Sequence, residues 1–111
     1  MFVTQASSPF FAPRVLDCIA TTLKAINAQV YPYTIDVPSF GPWGYVLASR
    51  DFTLQPNRLS LKIPTRFLTT EHLQSLFQLP ADMPLGKAKI NRLVDPVIVG
   101  YQADPRWTAY D

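Results

Sequence analysis

The chain has 111 residues, 48% of them hydrophobic and 16% charged, so its composition excludes an intrinsically disordered protein and predicts one compact domain. Ten Lys and Arg against eight Asp and Glu leave a formal charge of +2, which predicts no strong polyanion partner such as nucleic acid. The lone Cys18 excludes an internal disulfide and favours a reducing compartment, by default the cytoplasm. The sequence shows no apolar run long enough for a membrane segment and no secretory signal pattern.

The first half of the chain predicts a strand, a helix and a hairpin. Residues 2–5 are typical of a short strand, and residues 13–26 predict a helix that starts at a proline and presents apolar residues on one face. Asn27 follows, where a left-handed residue is tolerated. Residues 29–37 and 45–49 predict an antiparallel pair joined by a long loop at 38–44, and the Pro32 within the first strand predicts a sheet edge or a bulge.

The second half is less regular. Residues 59–63 form a weak strand candidate, and Thr69 is the expected cap of a helix of about eight residues that ends at Pro80. Residues 97–101 form a last possible strand, and the tail at 104–108 is expected to be extended.

This order of elements predicts an α/β fold, as the terminal edge of a doubly wound sheet whose central parallel strands are missing. We therefore expect residues 1–111 to form a single partial domain, with a sheet-edge unit at 1–49 and a C-terminal extension at 50–111. The strand at residues 2–5 would then keep one side unpaired, with backbone donors and acceptors seeking a partner.

Two sequence segments resemble the C-terminal part of the spermidine synthase-type polyamine aminopropyltransferases, especially the longer bacterial members. The first is TQASSPFFA at residues 4–12, and the second is VPSFGPWGYVLAS at residues 37–49. Shorter matches follow in RFLT at 66–69, LFQLPADM at 76–83 and NRL at 91–93. The resemblance covers nearly the whole chain, and PSFGPWG is its most specific part.

The resemblance implies a methyltransferase-like Rossmann fold and transfer of an aminopropyl group from decarboxylated S-adenosylmethionine to putrescine. Such enzymes hold the nucleoside with a Gly-rich turn and an acidic residue, and an Asp-rich segment supplies the base. This chain shows none of these, and its first Asp, Asp17, lies on the predicted helix. We therefore expect a fragment, either a truncated product or half of a split protein, with no catalytic or cofactor-binding residue of its own.

The same resemblance implies that Gln5, Phe40 and Trp43 line one wall of a polyamine pocket, since Gln5 ends a strand and strand carboxyl ends bind ligands in open α/β sheets. Relatives usually carry an acidic residue at Pro42 and a histidine at Thr34, so two groups that could meet an amine are absent here.

Each candidate residue has a purely structural alternative. Gln5 could cap the following helix, and Phe40 and Trp43 could be packing anchors of their loop. Asp36 could bind an ammonium group, but its alternation with apolar neighbours favours solvent exposure. His72 and Ser7 lack the elbow motif of a hydrolase, and Cys18 is expected to be an inert packed thiol.

Two hypotheses about function follow. In the first, the chain contributes Gln5, Phe40 and Trp43 to an aminopropyltransferase completed by a nucleotide-binding half or a homologous subunit. In the second, it is a remnant without catalytic activity, whose exposed sheet edge binds a protein partner. The basic residues Lys87, Lys89 and Arg92 are expected to be solvated, with a weak polyanion site as the alternative.

Overall fold

The computed structural model describes residues 1–39, 41–51, 53–79 and 86–103, which form a small mixed α/β fold. The strands are β1 (Phe2–Gln5), β2 (Gln29–Val37) and β3 (Gly41–Ser49), and the helices are α1 (Pro13–Ala25), α2 (Thr70–Ser75) and α3 (Val97–Gln102). A 3-10 turn spans Pro56–Arg58. Within these residues no helix is long and apolar enough to cross a membrane.

The three strands form one sheet in the order β1-β3-β2, and β3 runs antiparallel to both neighbours. β1 and β2 therefore run parallel to each other, with α1 connecting them and β3 inserted between them. Tyr45 of β3 lies opposite Gln5 on one side and Tyr33 on the other. Among the described residues β1 pairs with β3 alone, so its outer side is unpaired, as the sequence predicted.

Helix α1 covers one face of the sheet. Its apolar stripe buries Leu16 against Val46 of β3 and Ala6, and Ile19, Leu23 and Val30 pack around this core. The helix ends one residue before the predicted boundary, and Asn27 adopts the expected left-handed conformation with φ of 64°. The predicted helix is thus confirmed, with Cys18 fully buried in it.

The prediction of a long loop at residues 38–44 is wrong. β3 begins at Gly41, directly opposite Val37, because the positive φ of Gly41 (75°) accommodates a tight turn. The N–H of Gly44 points toward the side of β1 and donates to the Ser7 carbonyl. The nitrogen of Pro42, two residues earlier in β3, points to the same side, but at a position beyond the end of β1. Proline there removes no ladder hydrogen bond, so β3 can begin in this segment although its proline content predicts a loop.

Pro32 is accommodated in the same way at the other edge of the sheet. The N–H of Thr34 points away from β3 and donates to the carbonyl of Leu76 at 3.1 Å. The nitrogen of Pro32, two residues earlier in β2, points outward in the same way and leaves the pairing with Val46 intact. β2 is the edge strand that the proline predicted.

Two predicted strands in the second half are wrong. Residues 59–63 are irregular, since the Leu59 carbonyl accepts from Gln74 Nε2 and the Leu61 N–H donates to Thr70 Oγ1, so side chains of α2 replace a strand partner. Residues 97–101 lie in α3, which begins after Pro96 and packs on α1. Among the described residues of the second half there are therefore two short α-helices, where the sequence predicted one.

The cap of the first of these helices is confirmed. Thr69 Oγ1 accepts a hydrogen bond from the backbone N–H of His72 at 3.0 Å, which satisfies one of the donors left open at the start of α2. The predicted end of this helix at Pro80 is wrong, because α2 ends at Ser75 and the chain then turns, with the Gln78 N–H donating to the Ser75 carbonyl at 3.0 Å. The extended tail predicted at residues 104–108 lies outside the described residues.

Candidate functional site

The sheet face turned away from α1, here called the open face, carries the predicted site residues. Alternation along the strands places Val46 and Ala48 toward α1, so Tyr45 and Trp43 lie on the open face. Gln5 is paired with Tyr45 and shares its face. The structure thus brings Gln5 and Trp43 to one surface.

A cross-strand row of side chains runs over the open face from Gln5 through Tyr45 to Tyr33. The Tyr45 and Tyr33 rings are stacked, with centroids 5.3 Å apart and an interplanar angle of 14°. Phe77 extends the row at 5.2 Å from Tyr33. Burial, with a smaller contribution from Tyr45, raises the pKa of the Tyr33 hydroxyl above its ordinary value. The row is therefore a partly desolvated aromatic surface that ends at the exposed amide of Gln5.

Trp43 lies one step further along this face. Trp43 lies in β3, where it pairs with Ile35 of β2, and not in the loop that the sequence predicted. Its side chain is half-buried. Trp43 is the diagonal neighbour of Gln5 across the β1·β3 pair. The Cα atoms of such diagonal neighbours in an antiparallel pair are about 7–8 Å apart. Trp43 and Gln5 can therefore contact the same small ligand. The third predicted site residue, Phe40, lies outside the described residues.

The turn that follows Gln5 is tightly fixed. The Ala6 N–H donates to the Gly44 carbonyl at 2.8 Å, and the Gly44 N–H donates to the Ser7 carbonyl at 2.7 Å. Ser7 adopts a left-handed conformation with φ of 61°, and fully buried Ser8 accepts from the N–H groups of Phe10 and Phe11. Gln5 has no helix-capping role, because the N-cap of α1 is Ala12 and no side chain caps it.

Two acidic residues, Asp36 and Asp17, lie away from the open face. Asp36 pairs with Pro42, on the opposite face from Trp43, and it is solvent-exposed as expected. Asp17 is 2% exposed and accepts three backbone hydrogen bonds from residues 86–88. No cluster of three potential metal ligands occurs within the described residues. The open face offers amide and aromatic groups, and neither of these carboxylates reaches it.

Two residues of this region, Tyr45 and Asp17, are absent from the set of site residues that the sequence predicts. Alternation with Trp43 is the sequence signal that places Tyr45 on the same face. No local pattern marks the enclosure of Asp17, because the groups that bind its carboxylate are the backbone N–H groups of residues 86–88.

The other residues considered from the sequence are His72, Cys18 and the basic residues Lys87, Lys89 and Arg92. His72 lies in α2 with its ring against Phe67 at 5.0 Å, far along the chain from the buried Ser8. Burial raises the pKa of the Cys18 thiol, which together with its complete enclosure makes it unreactive. Lys87, Lys89 and Arg92 are exposed.

Comparison with known proteins gives a consistent result. A scan against models of protein families finds no match. Polyamine aminopropyltransferase 2 of Ralstonia nicotianae is 38% identical over 101 residues, which cover 91% of this chain and 20% of that protein. Polyamine aminopropyltransferase 1 of Streptomyces coelicolor is 35% identical over 97% of the chain, and the polyamine aminopropyltransferase of Oceanobacillus iheyensis is 35% identical over 87%.

The chain spans about a fifth of the length of these relatives. The similarity extends through both the sheet and the irregular second half, since it covers roughly nine-tenths of the residues. These comparisons confirm the resemblance drawn from the sequence, and the chain is related to the polyamine aminopropyltransferases as a segment about one-fifth as long as they are.

Proposed function

We propose that the chain is the C-terminal portion of a spermidine synthase-like enzyme and forms one wall of its polyamine site. The observation that carries this proposal is the placement of Gln5 and Trp43 as diagonal neighbours on one sheet face, with Tyr45 directly opposite Gln5. These two residues are 38 positions apart in sequence and lie near the carboxyl end of β1, where open α/β sheets bind ligands.

The chemistry of this wall suits a diamine. Putrescine is an apolar methylene chain with a cationic ammonium group at each end. The Trp43 ring can cover methylene groups, and the Gln5 carbonyl oxygen can accept from an ammonium N–H. The faces of the neighbouring rings attract a cation as well. Phe40, three residues before Trp43, is proposed to complete the same wall.

The reaction needs groups that this wall does not provide. The amine nitrogen must lose a proton, attack the methylene carbon bonded to the sulfonium of decarboxylated S-adenosylmethionine, and displace a neutral thioether as the C–S bond breaks. Asp17 is occupied by backbone donors, and Asp36 lies on the wrong face. We assign the base and the nucleoside site to a complementary part equivalent to the remaining four-fifths of the relatives, and propose no catalytic residue in the residues described.

The unpaired edge of β1 is the proposed junction with that complementary part. β1 and β2 are parallel, connected by a helix that packs on one face, which is the arrangement expected at the margin of a methyltransferase-like Rossmann sheet. Phe2 and Val3 on this edge are 50% and 49% exposed. A further strand pairing here would satisfy the open backbone groups and cover both side chains.

The test is reconstitution. The chain is mixed with the complementary four-fifths of a polyamine aminopropyltransferase, and transfer of the aminopropyl group to putrescine is measured. We expect activity in the mixture and none with either part alone. Absence of activity in a mixture that forms a stable complex would contradict the proposal.

A second candidate function is that of an interaction module without polyamine chemistry. A groove of about 260 Å³ lies between the start of β1 and the end of α1, lined by Met1, Phe2, Leu23 and Ile26 among others. This groove and the adjacent open edge could accommodate an extended apolar segment. Binding of the complementary part without turnover, and without any affinity for putrescine, would favour this alternative.

A further inference from the structure

The segment at residues 86–103, here called the strap, begins at a buried charge on α1. Asp17 Oδ1 accepts from the Gly86 N–H at 2.6 Å, and Oδ2 accepts from the N–H groups of Lys87 and Ala88 at 2.8 Å each. Successive backbone donors of this kind form an anion-binding nest, which replaces water around an otherwise costly buried carboxylate. Gly86 has φ of 89°, which favours glycine at the first donor position.

The strap next contacts the C-terminal half of α1 and then, through α3, the N-terminal end of the same helix. The Asn91 N–H donates to Thr22 Oγ1 at 2.8 Å, and Asn91 Oδ1 accepts from the Ile98 N–H at 3.2 Å, which ties the start of α3 to the same helix. Further on, the Arg14 guanidinium lies over the Tyr101 ring, 6.0 Å from its centroid. These contacts bind the strap along one side of α1.

The strap ends at the turn that follows Gln5. Gln102 Nε2 donates to Ser7 Oγ at 3.2 Å, a contact between residues 95 positions apart. Ser7 is the residue whose positive φ turns the chain after β1, and its carbonyl accepts the Gly44 N–H. A non-glycine residue in this conformation is strained, so it persists only where surrounding contacts hold it.

We propose that the strap positions the polyamine wall, with Gln102 as a positioning residue that holds the Ser7 turn and thereby Gln5, and with Asp17 as the anchor of the strap. The consequence for polyamine binding rests on the proposed function, whereas the mechanical link does not. Gln102 touches no substrate in this scheme, because it acts through Ser7. The link runs from the buried carboxylate on α1 to the turn that follows β1.

Hydrogen–deuterium exchange of the full chain tests the link. Gln102→Leu removes the donor to Ser7 and should accelerate exchange of the Gly44 and Ala6 amides by about 2- to 10-fold, the loss expected for one hydrogen bond. The matched control is Gln78→Leu, an exposed glutamine near the end of α2. Gln102→Glu, whose carboxylate can accept from the Ser7 hydroxyl, should restore slow exchange.

The anchor is tested in the same assay. Asp17→Asn should accelerate exchange of the amides at 86–88. Because the strap would then loosen from its start, the Gly44 amide should also exchange faster, but by a smaller factor than in Gln102→Leu. Equal Gly44 exchange in Gln102→Leu and Gln78→Leu would overturn the proposal, whatever Asp17→Asn does.

The functional consequence is read in the reconstituted mixture. Gln102→Leu should raise the KM for putrescine with little change in kcat, since the amine wall is displaced while the chemistry lies elsewhere. An unchanged KM together with faster Gly44 exchange would overturn the role in amine binding. An inactive wild-type mixture would contradict the proposed function, and the exchange data would still decide on the strap.

Discussion

Gly44 and Ser7 form a close backbone junction beside the candidate site, with the Gly44 nitrogen 2.7 Å from the Ser7 carbonyl oxygen. A Cβ atom on Gly44 would lie 3.1 Å from that oxygen and 3.4 Å from Leu16 Cδ1. The lack of a side chain at Gly44 therefore lets the end of β1 approach β3 and bend away through Ser7. The position of Gln5 depends on this approach.

Gly44→Ala should destabilise the chain by about 1–3 kcal/mol, because the methyl group must displace the Ser7 carbonyl or the Leu16 side chain. Urea unfolding followed by circular dichroism measures the change. Gly100→Ala is the control, since a Cβ there meets nothing within 4 Å and alanine favours its helix. Equal unfolding midpoints for the two variants would contradict the close approach.

The sequence predicts the helix and strands of the first half because their signals are local. Apolar spacing marks α1, and Pro32 marks an edge. The hairpin tip differs from the prediction because the turn residues of 38–44 favour a loop. In the structure the nitrogen of Pro42 faces the side of β3 beyond the end of β1, so no hydrogen bond is lost there. Which way a strand nitrogen points depends on pairing between distant segments, and this cannot be read from one segment alone.

The same limit applies to the site. Gln5 and Trp43 were proposed from a resemblance, and their common face follows from strand alternation once the register is known. The enclosure of Asp17 could not be predicted, because its partners are backbone groups about 70 positions away that carry no side-chain signature. Helix α3 was misassigned since its apolar residues fit a strand, and only packing on α1 decides between the two.

Cys18 should resist thiol reagents in the folded chain. It is fully buried, and burial raises its pKa, so both access and the thiolate fraction are reduced. Labelling with a maleimide at mildly alkaline pH should be at least about 100-fold slower than in denaturant, since the thiol becomes accessible only when the structure opens. Labelling at the rate of the denatured chain would show that α1 does not pack as described.

Tyr33 should make the stability of the chain fall at alkaline pH. Its pKa is raised in the folded chain, so above the ordinary tyrosine pKa of about 10 the unfolded chain loses this proton while the folded chain retains it. The unfolding free energy therefore decreases as pH rises through that range. Tyr33→Phe should weaken this decrease, and Tyr101→Phe, a substitution in α3 outside the sheet, serves as the control. An identical pH dependence in wild type and Tyr33→Phe would contradict the desolvated row.

Thr69 should be worth about 1 kcal/mol to the start of α2. Its Oγ1 satisfies the His72 N–H, and Thr69→Ala leaves that donor to water. Amide exchange at His72 should accelerate about 5-fold in the alanine variant, whereas Thr69→Asp, which also caps helices well, should keep it slow.

Gln5→Ala should raise the KM for putrescine in the reconstituted enzyme by roughly 10- to 100-fold, the range for losing a hydrogen bond to a charged group. The matched control is Gln55→Ala, an exposed glutamine that precedes the 3-10 turn and makes no side-chain cap there. Trp43→Ala should also weaken amine binding, and more strongly for long apolar diamines than for short ones, because its ring is proposed to cover methylene groups. Equal KM values for Gln5→Ala and Gln55→Ala would remove Gln5 from the amine wall, since both variants delete the same side chain.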